Sequence, residues 1–552
     1  MPVKLKIQRY LLGLGVLLIR LLVYPLGIFK VYKDKELSEE DAGPPPSPAE
    51  IIIDTEIIQE EIDPFIYGNF IEVLGKCIYG GIWDEYNENI SLIHGGIRQD
   101  VLDEIRALKV TILRWPGGCF SDVYEWKEGI GPPDQRKIQS NKHWHWFGPR
   151  IGPKHDNHFG SDEFMLLIKE IAAEPYININ FGSGTIEEAT QWVEYMNGDE
   201  NTEYGAQRSK NGHPKPYNVK IWGIGNEIYQ ASETGCTSAK NYAKKYLQFV
   251  QAMRKVDPSL KFVAVGAGFT QPQWNRTVLE IAGEHIDYLS LHVYIPGFFL
   301  TSLSNSVRDF YNIIAGAFEI ERRIKWVEDS IRKVMGESKK IPIALDEWGA
   351  IWNVRQHTEG YYTLRDGLFA ASLFEILHKN ANSVKMANFA QLVNVVPMIV
   401  TSSTDLYHNP IYLAAQFFSN YAETFLVSSK VTCDTRQISP YGNISETKIS
   451  YLGVSVTINK EKDRLVIIGI NRHHAHDLTT SISISNFDPD SFSHIYELNG
   501  PHHSAFNNFD KKDEVKIEKK QFKSASNHFN YTFPAHSVTA LILRKKNLFV
   551  ES

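Results

Sequence analysis

A repeated alternation of short apolar runs with longer amphipathic stretches constrains the fold of this chain more than any other feature. Between about residues 66 and 390, apolar runs of strand length are separated by stretches with helical periodicity. The runs are apolar on both faces, which is typical of parallel strands covered by helices. They lie at 66–73, 110–115, 175–181, 219–226, 262–266, 288–294, 341–347 and 384–390. Eight such units predict a closed α/β barrel, the (β/α)8 or TIM barrel.

The main structural alternative is a doubly wound open sheet. A dinucleotide-binding sheet of that kind would carry a Gly-x-Gly-x-x-Gly turn after its first strand, and none follows the run at 66–73. The barrel is therefore the preferred prediction.

The pattern changes after about residue 400. Segments such as 454–459, 464–471, 480–485 and 538–544 are short and β-rich, and turn residues rather than helical stretches separate them. We therefore predict a catalytic barrel over 66–400 and a C-terminal antiparallel β-sandwich over 401–552. The strand-like stretch within 49–65 precedes the barrel, and we expect it to join the sandwich.

Residues 1–48 are expected to lie outside both domains. Residues 11–29 form an apolar run interrupted by Arg20 and Pro25, with basic residues before it and a proline-rich linker after it. Its length and basic flank predict a membrane anchor or signal. A surface amphipathic helix and a wrongly assigned start are the alternatives.

Composition narrows the classes of partner and compartment. The 58 basic and 65 acidic residues give a net charge of −7, which offers no basic surface for nucleic acid. The four cysteines form no Cys-x-x-Cys pair, and no cluster has the spacing of a zinc site, so we expect neither metal nor cofactor. Sparse cysteine favours a reducing compartment such as the cytoplasm, whereas the N-terminal run favours a membrane-anchored or secreted protein.

Two glutamates carry the predicted chemistry. Glu227 closes the fourth predicted strand and Glu347 closes the seventh. Polar residues at the carboxyl ends of barrel strands face the catalytic mouth. Two carboxylates meeting there are what a retaining glycosidase requires, one as acid/base and one as nucleophile. The alternative is that both are satisfied charges at strand ends.

Neighbouring residues complete a pocket around the two glutamates. Asn226 is placed to bind a sugar hydroxyl, and Glu72 closes the first strand. Arg114 closes the second strand and can pair with one of the carboxylates, and the glycines after it allow a close approach of the backbone to a ligand. Tyr294 ends the sixth strand and can hydrogen-bond the nucleophile. His292 lies beside it and can equally be a buried, satisfied histidine.

The chain resembles the α-L-arabinofuranosidases of glycoside hydrolase family 51 from about residue 50 to its C-terminus. Motifs along the whole barrel carry the resemblance: Gly-Asn-Phe-Ile-Glu at 68–72, Arg-Trp-Pro-Gly-Gly-Cys-Phe at 114–120, Trp-Gly-Ile-Gly-Asn-Glu at 222–227, Asp-Glu-Trp at 346–348 and Asn-Phe-Ala-Gln at 388–391. The resemblance implies a retaining exo-hydrolase that releases terminal α-L-arabinofuranosyl groups. It also implies a homo-oligomer, in the form of a hexamer.

The resemblance assigns the individual roles. It makes Glu347 the nucleophile and Glu227 the acid/base, with Tyr294 supporting the nucleophile. It implies that the arabinofuranose is bound by Glu72, Cys119, Asn226 and Gln391. Some members have Asn at the position of Cys119, so the contact that this thiol makes with the sugar is left open.

Two alternative functions and one loop complete the predictions. A related retaining enzyme acting on β-xylosides or β-glucans would use the same two carboxylates, and a non-catalytic carbohydrate-binding protein is a more distant alternative. Residues 141–157 are aromatic and basic where a leaving-group loop is expected, so they shape the aglycone side or form an ordinary packed loop.

Overall fold

The computed structural model describes residues 43–269, 271–297, 306–337, 339–351 and 361–546. The N-terminal apolar run at 11–29 lies outside these residues. Within the described part of the chain, no helix is both long and apolar enough to cross a membrane.

A closed barrel of eight parallel strands forms the centre of the molecule, and neighbouring strands follow the order of the chain. The barrel strands are Gly68–Phe70, Ile112–Trp115, Glu174–Ile179, Ile221–Ile224, Lys261–Ala264, Tyr288–Pro296, Ile343–Ile351 and Val384–Ala390. The eighth strand pairs with the first and closes the sheet. The barrel prediction is confirmed.

Helices connect the strands and cover the outside of the barrel. The described α-helices are Gln99–Leu108, Ser161–Ile171, Ile186–Asn197, Glu203–Lys210, Ala239–Val256, Pro272–Ala282, Val307–Met335, Leu364–Lys379 and Pro410–Tyr421. Their caps follow from the sequence: the Ser238 hydroxyl accepts the N–H of Asn241 at the start of Ala239–Val256. Short 3-10 turns occur at Pro64–Tyr67, Ser121–Val123, Trp126–Gly129, Pro133–Gln135, Trp144–Phe147 and Gly283–His285.

Side chains fill the inside of the barrel, so that it is a packed core and not a pore. One buried layer takes an inward-facing residue from seven of the eight strands: Ile112, Tyr176, Ile221, Val263, Tyr288, Ala344 and Met386. The catalytic mouth therefore lies at the carboxyl ends of the strands, above this layer.

A second sheet of nine strands covers one side of the barrel. In spatial order its strands are Lys516–Phe522, Ser493–Asn499, Val538–Arg544, Arg464–Asn471, Leu452–Ile458, Phe425–Thr432, Ala49–Glu61, Leu478–Ser485 and His528–Phe533. Its pairs are antiparallel except that Ala49–Glu61 runs parallel to Leu478–Ser485. The sheet curves over itself, so that strands far apart in this order come into contact. The side-chain N–H of Asn471, on the fourth strand, donates to the carbonyl of Phe533, on the ninth, at 3.0 Å.

The barrel and the nine-stranded sheet share buried contacts. Helix Leu364–Lys379 is buried along almost its whole length and lies between them. Its Glu375 forms a buried ion pair with Arg472 of the sheet and accepts the N–H of Val454 at 3.1 Å. Two-residue and other short strands form separate pairs at Leu92–Ile93 with Ile97–Arg98, Gln139–Ser140 with Lys154–His155, Ile399–Thr401 with Leu406–His408, and Thr435–Ile438 with Thr447–Ser450.

Candidate active site

Glu227 and Glu347 lie side by side at the mouth of the barrel. A carboxylate oxygen of each glutamate and a ring nitrogen of His292 all lie within 4.8 Å of one another. The strand bounds differ slightly from those expected. Glu227 lies three residues beyond the fourth strand with a φ of 46°, and the seventh strand continues four residues past Glu347 to Ile351.

Both oxygens of the Glu347 carboxylate are held. Oε1 accepts a hydrogen bond from Arg114 Nη1 at 2.6 Å, and Oε2 accepts one from the Tyr294 hydroxyl at 2.7 Å. The side chains of Glu347 and Arg114 are almost wholly buried, so this charge-assisted bond acts in a medium of low dielectric constant. Glu347 therefore has a single, fixed orientation.

His292 lies between the carboxylates. Its Nδ1 lies 2.9 Å from Glu227 Oε1 and 3.5 Å from Glu347 Oε2, and its Nε2 lies 3.3 Å from Asp346 Oδ1. Burial alone would lower the pKa of this imidazole, but the Glu347 and Asp346 carboxylates raise it to about 10. The His292 side chain is 5% exposed, as expected for a buried histidine, and it lies close to both glutamates.

Asp346 anchors this charge network from below. It accepts hydrogen bonds from the Tyr176 hydroxyl at 2.8 Å and the Ser290 hydroxyl at 2.5 Å. Burial would raise its pKa, but the charges of His292 and Arg114 lower it to about 2. Asp346 therefore stays ionised and balances the buried cations.

Asn226 is oriented by two partners. Its Oδ1 accepts a hydrogen bond from Arg114 Nη2 at 2.8 Å, and its backbone N–H donates to Asp122 Oδ2 at 2.9 Å. Because Oδ1 is occupied, the amide Nδ2 is the group that points toward the Cys119 sulfur, 3.7 Å away. Asp122 was not singled out from the sequence, although its position two residues after the predicted Gly-Gly-Cys-Phe motif was a usable signal.

Glu72 forms another buried wall of the pocket. Its carboxylate accepts the N–H of Phe120 at 2.8 Å, the indole N–H of Trp144 at 3.2 Å and the side-chain N–H of Gln391 at 3.1 Å. Burial is the largest cause that raises the pKa of Glu72 to about 7, and the charge of Glu347 adds to it. The contact with Trp144 also shows that the loop 141–157 reaches the pocket.

The glycines after Arg114 make room for carboxylates of the protein. A Cβ at Gly118 would lie 2.6 Å from Glu347 Oε1, and one at Gly117 would lie 2.5 Å from Glu72 Cγ. The glycines therefore permit a close approach of the backbone to Glu347 and Glu72. The approach of this backbone to a ligand stays a prediction.

Cys119 lies at the edge of the pocket beside a carboxyl group that the sequence analysis did not select. Its thiol donates to Glu233 Oε1 at 3.2 Å. Glu233 is 4% exposed, and burial, followed by the charge of Glu227, raises its pKa well above the ordinary value. Its position six residues after Glu227 was the only signal in the sequence.

All nine predicted site residues thus lie in one connected pocket. The predicted pairing of Arg114 with a carboxylate and of Tyr294 with Glu347 is present in the structure. The partners that sequence reasoning missed are polar side chains behind or beside the predicted residues: Tyr176, Ser290, Asp122 and Glu233. Gln230 is a further one, because its side-chain N–H donates to Glu227 Oε2.

Comparisons with known proteins agree with this architecture. A family model described as the α-L-arabinofuranosidase 1 domain matches residues 104–308, and one described as the α-L-arabinofuranosidase C-terminal domain matches residues 346–537. The chain is 32% identical over 502 residues to the intracellular exo-α-L-arabinofuranosidase of Bacteroides ovatus, covering 89% of this chain and 93% of that one. It is 30% identical over 506 residues to α-L-arabinofuranosidase C of Emericella nidulans, covering 87% and 94%.

Solved structures give the same picture. The α-L-arabinofuranosidase of Thermotoga maritima, solved in complex with arabinose, is 34% identical with a TM-score of 0.82, and the match covers 90% of this chain and all of that one. The family 51 enzyme from Thermotoga petrophila has the same identity and TM-score, with coverage of 90% and 99%.

Proposed function

The chain belongs to the α-L-arabinofuranosidases of glycoside hydrolase family 51, and from this premise we propose that it hydrolyses its substrates by double displacement with retention of configuration. Its substrates are saccharides that carry arabinofuranosyl groups. The observation that carries the proposal is the closeness of the two carboxylates, whose nearest oxygens lie within 4.8 Å. Retaining glycosidases have carboxyl groups about 5 Å apart, whereas inverting enzymes need a wider gap for water.

We assign the nucleophile to Glu347. The hydrogen bonds from Arg114 and Tyr294 hold its two oxygens, which supports attack by an ionised and oriented carboxylate. In the first step, a Glu347 oxygen forms a bond to the anomeric carbon as the bond to the leaving oxygen breaks. The product of this step is a covalent arabinofuranosyl-enzyme.

We assign the acid/base to Glu227. It protonates the leaving oxygen in the first step, then removes a proton from the water that attacks the anomeric carbon and frees Glu347. Its carboxyl group is the more exposed of the two, at 15% against 8%, which suits a group that must meet both the aglycone and water.

We propose that Glu72, Cys119, Asn226 and Gln391 bind the arabinofuranosyl group. Each lies in the pocket beside the two catalytic glutamates, and Glu72 and Asn226 are fixed by hydrogen bonds from the protein. His292 and Arg114 act as positioning residues that hold the glutamates by charge.

The reaction course can be tested with the full chain on p-nitrophenyl α-L-arabinofuranoside, with the β-D-xyloside as the competing substrate. We expect hydrolysis of the arabinofuranoside to dominate, and nuclear magnetic resonance to show the α anomer as the first product. The β anomer as first product would exclude the retaining mechanism. Faster hydrolysis of the xyloside would favour a related retaining enzyme that acts on β-xylosides.

Azide rescue separates the roles of the two glutamates. Glu347→Ala should lose activity, and added azide should then give a glycosyl azide of inverted configuration, because azide takes the place of the nucleophile. Glu227→Ala with azide should give a product of retained configuration, because azide attacks the covalent intermediate. The opposite pair of products would reverse our assignment.

Compartment and assembly are a separate proposal. The four cysteines are all free thiols, which supports action in a reducing compartment, and the relative from B. ovatus is named as intracellular. We propose that the barrel works on the cytoplasmic side, that residues 11–29 associate with a membrane, and that the enzyme is a hexamer. Cell fractionation and light scattering of the purified full chain test these points; recovery of a monomer wholly in the soluble fraction would contradict the last two.

A further inference from the structure

We propose that Cys119, His143 and Glu233 form a binding site for a divalent transition-metal ion such as Zn²⁺, and that the bound ion blocks the sugar pocket. One possible ligand atom from each side chain lies within 4.8 Å of the others. The residues come from three separate parts of the chain, so only the fold brings them together. The activity readout of the proposal rests on the proposed function; the binding readout does not.

The chemistry of the three groups favours Zn²⁺ over Mg²⁺ or Ca²⁺. A thiol, an imidazole and a carboxylate are the ligand types found in zinc sites, whereas the hard cations prefer oxygen alone. Ligand atoms around a tetrahedral Zn²⁺ lie about 3.3–3.8 Å apart. Cys119 Sγ and Glu233 Oε1 lie 3.2 Å apart, so two of the three ligands already have nearly the required spacing.

An independent observation at Glu233 also indicates a missing ligand. Its Oε2 is buried, and among the described residues it has no hydrogen-bond partner. A buried polar atom without a partner is costly, and a metal ion would satisfy the carboxylate. The Glu233 side chain is fixed by burial, so it does not need to be ordered when the ion binds.

The loop that carries His143 is also held in place. The buried Asn141 side chain donates to the carbonyl of Val73 at 2.6 Å and accepts the backbone N–H groups of His143 and Trp144 at 3.2 and 2.7 Å. The His143 ring contacts the Trp144 ring, with centroids 4.7 Å apart. The imidazole is therefore kept beside Cys119 by the backbone of its own loop.

The proposed site lies among acidic side chains. Cys119 shares its pocket with Glu72, Glu227 and Glu347, and Glu233 is itself a proposed ligand. A divalent cation suits surroundings of this kind.

Occupation of this site would conflict with substrate binding. Cys119 lies 3.7 Å from the amide nitrogen of Asn226, and we place both residues in the arabinofuranose pocket. An ion on Cys119 would take the sulfur and the space that the sugar needs. We therefore expect inhibition by Zn²⁺ to be competitive, and arabinose to protect the enzyme.

Binding can be measured without activity by titrating the full chain with Cd²⁺ and following the near-ultraviolet absorption of the cadmium–thiolate bond. We expect this band in the native protein, its loss in Cys119→Ser, and a weakening of affinity by about tenfold or more in Glu233→Gln and His143→Gln. The matched controls are Cys433→Ser and His145→Gln. Cys433 is a partly buried thiol just after the strand Phe425–Thr432, and His145 lies two residues after His143 on the same loop. Both should bind Cd²⁺ as the native protein does.

Inhibition is measured with Zn²⁺ and p-nitrophenyl α-L-arabinofuranoside. Glu233→Gln should need about tenfold more Zn²⁺ for half inhibition, whereas the Cys433→Ser and His145→Gln variants should not differ from the native enzyme. Absence of a cadmium–thiolate band in the native protein, or its persistence in Cys119→Ser, would overturn the site. A protein that binds Cd²⁺ but hydrolyses no arabinofuranoside would contradict the proposed function and leave the metal site standing.

Discussion

At the residue scale, hydrogen bonds fix the orientation of the candidate nucleophile. Each carboxylate oxygen of Glu347 accepts a hydrogen bond, one from Arg114 and the other from Tyr294. Asn226 shares the same guanidinium, so one buried arginine orients the proposed nucleophile and a proposed sugar ligand together. The guanidinium of an arginine suits this position better than the ammonium of a lysine, because its planar N–H donors reach Glu347 and Asn226 at fixed angles.

Tyr294→Phe tests the second hydrogen bond to Glu347. The substitution keeps the ring and removes only the hydroxyl, and a hydrogen bond to a charged group contributes about 1.5–3 kcal/mol. We expect kcat on p-nitrophenyl α-L-arabinofuranoside to fall by about ten- to a hundredfold, with little change in the thermal midpoint. An unchanged kcat would show that Arg114 alone orients the carboxylate.

Gly118→Ala tests the space that the proposed nucleophile needs. The new Cβ would lie 2.6 Å from Glu347 Oε1 and 3.1 Å from Asn226 Oδ1, so one of these groups must move. A displacement of about 1 Å at a reacting group can cost about a hundredfold in rate, and we expect a loss of that size in kcat/KM. Gly268→Ala is the matched control, because its Cβ would meet nothing within 4 Å. Equal activity in both variants would contradict the packing argument.

At the scale of elements, helix Leu364–Lys379 joins the barrel to the nine-stranded sheet. Its Glu375 is buried, and although burial would raise the pKa of this carboxyl, the charges of Arg472 and Lys379 lower it to about 2. The helix connects the seventh barrel strand, which carries Glu347, to the eighth. The ion pair therefore ties the sheet to the helix that follows the strand of Glu347.

Glu375→Gln should weaken this joint. Removing one charge of a buried pair leaves the other uncompensated, which costs about 3–5 kcal/mol. We expect a clear fall in the denaturant midpoint, measured by circular dichroism. Glu280→Gln removes the partner of Arg276 in an exposed pair and should cost much less, because water screens the two charges. Similar falls in the denaturant midpoint of the two variants would show that the buried ion pair stabilises the protein no more than the exposed one.

At the scale of the whole molecule, three histidines of the C-terminal domain make the fold sensitive to acid. Burial, reinforced by neighbouring cations, lowers the pKa of His473 and His503 to about 3 and that of His536 to about 4. The unfolded chain takes up protons on these groups near pH 6.5, whereas the folded chain does so only near pH 3–4. Their contribution to stability is therefore complete above about pH 6.5 and is lost progressively as the pH falls toward 4.

The expected result is a difference between two proteins. The thermal midpoint of His503→Gln should fall less between pH 6.5 and 4 than that of the native chain, because one group that binds protons only in the unfolded chain is removed. Differential scanning calorimetry of both proteins across this range measures the effect. Parallel curves for the two proteins would contradict the argument.

The barrel and the place of the two glutamates could be predicted from the sequence. Local apolar periodicity identified eight strands, and the geometry of a parallel barrel gathers their carboxyl ends, so Glu227 and Glu347 had to meet wherever the strand bounds fell within a few residues. Errors of this size are seen at the seventh strand, which extends to Ile351. They did not matter, because both side chains still face the mouth.

The pairing of the side chains, in contrast, could be read only from the folded chain. Nothing in the local pattern shows that Arg114 contacts Glu347 rather than Glu227, or that His292 reaches both glutamates. Cys119, His143 and Glu233 have no zinc-site spacing in the sequence, yet three loops bring them together. The physical reason is that strand positions follow from short-range periodicity, whereas side-chain contacts between loops depend on packing across the whole barrel.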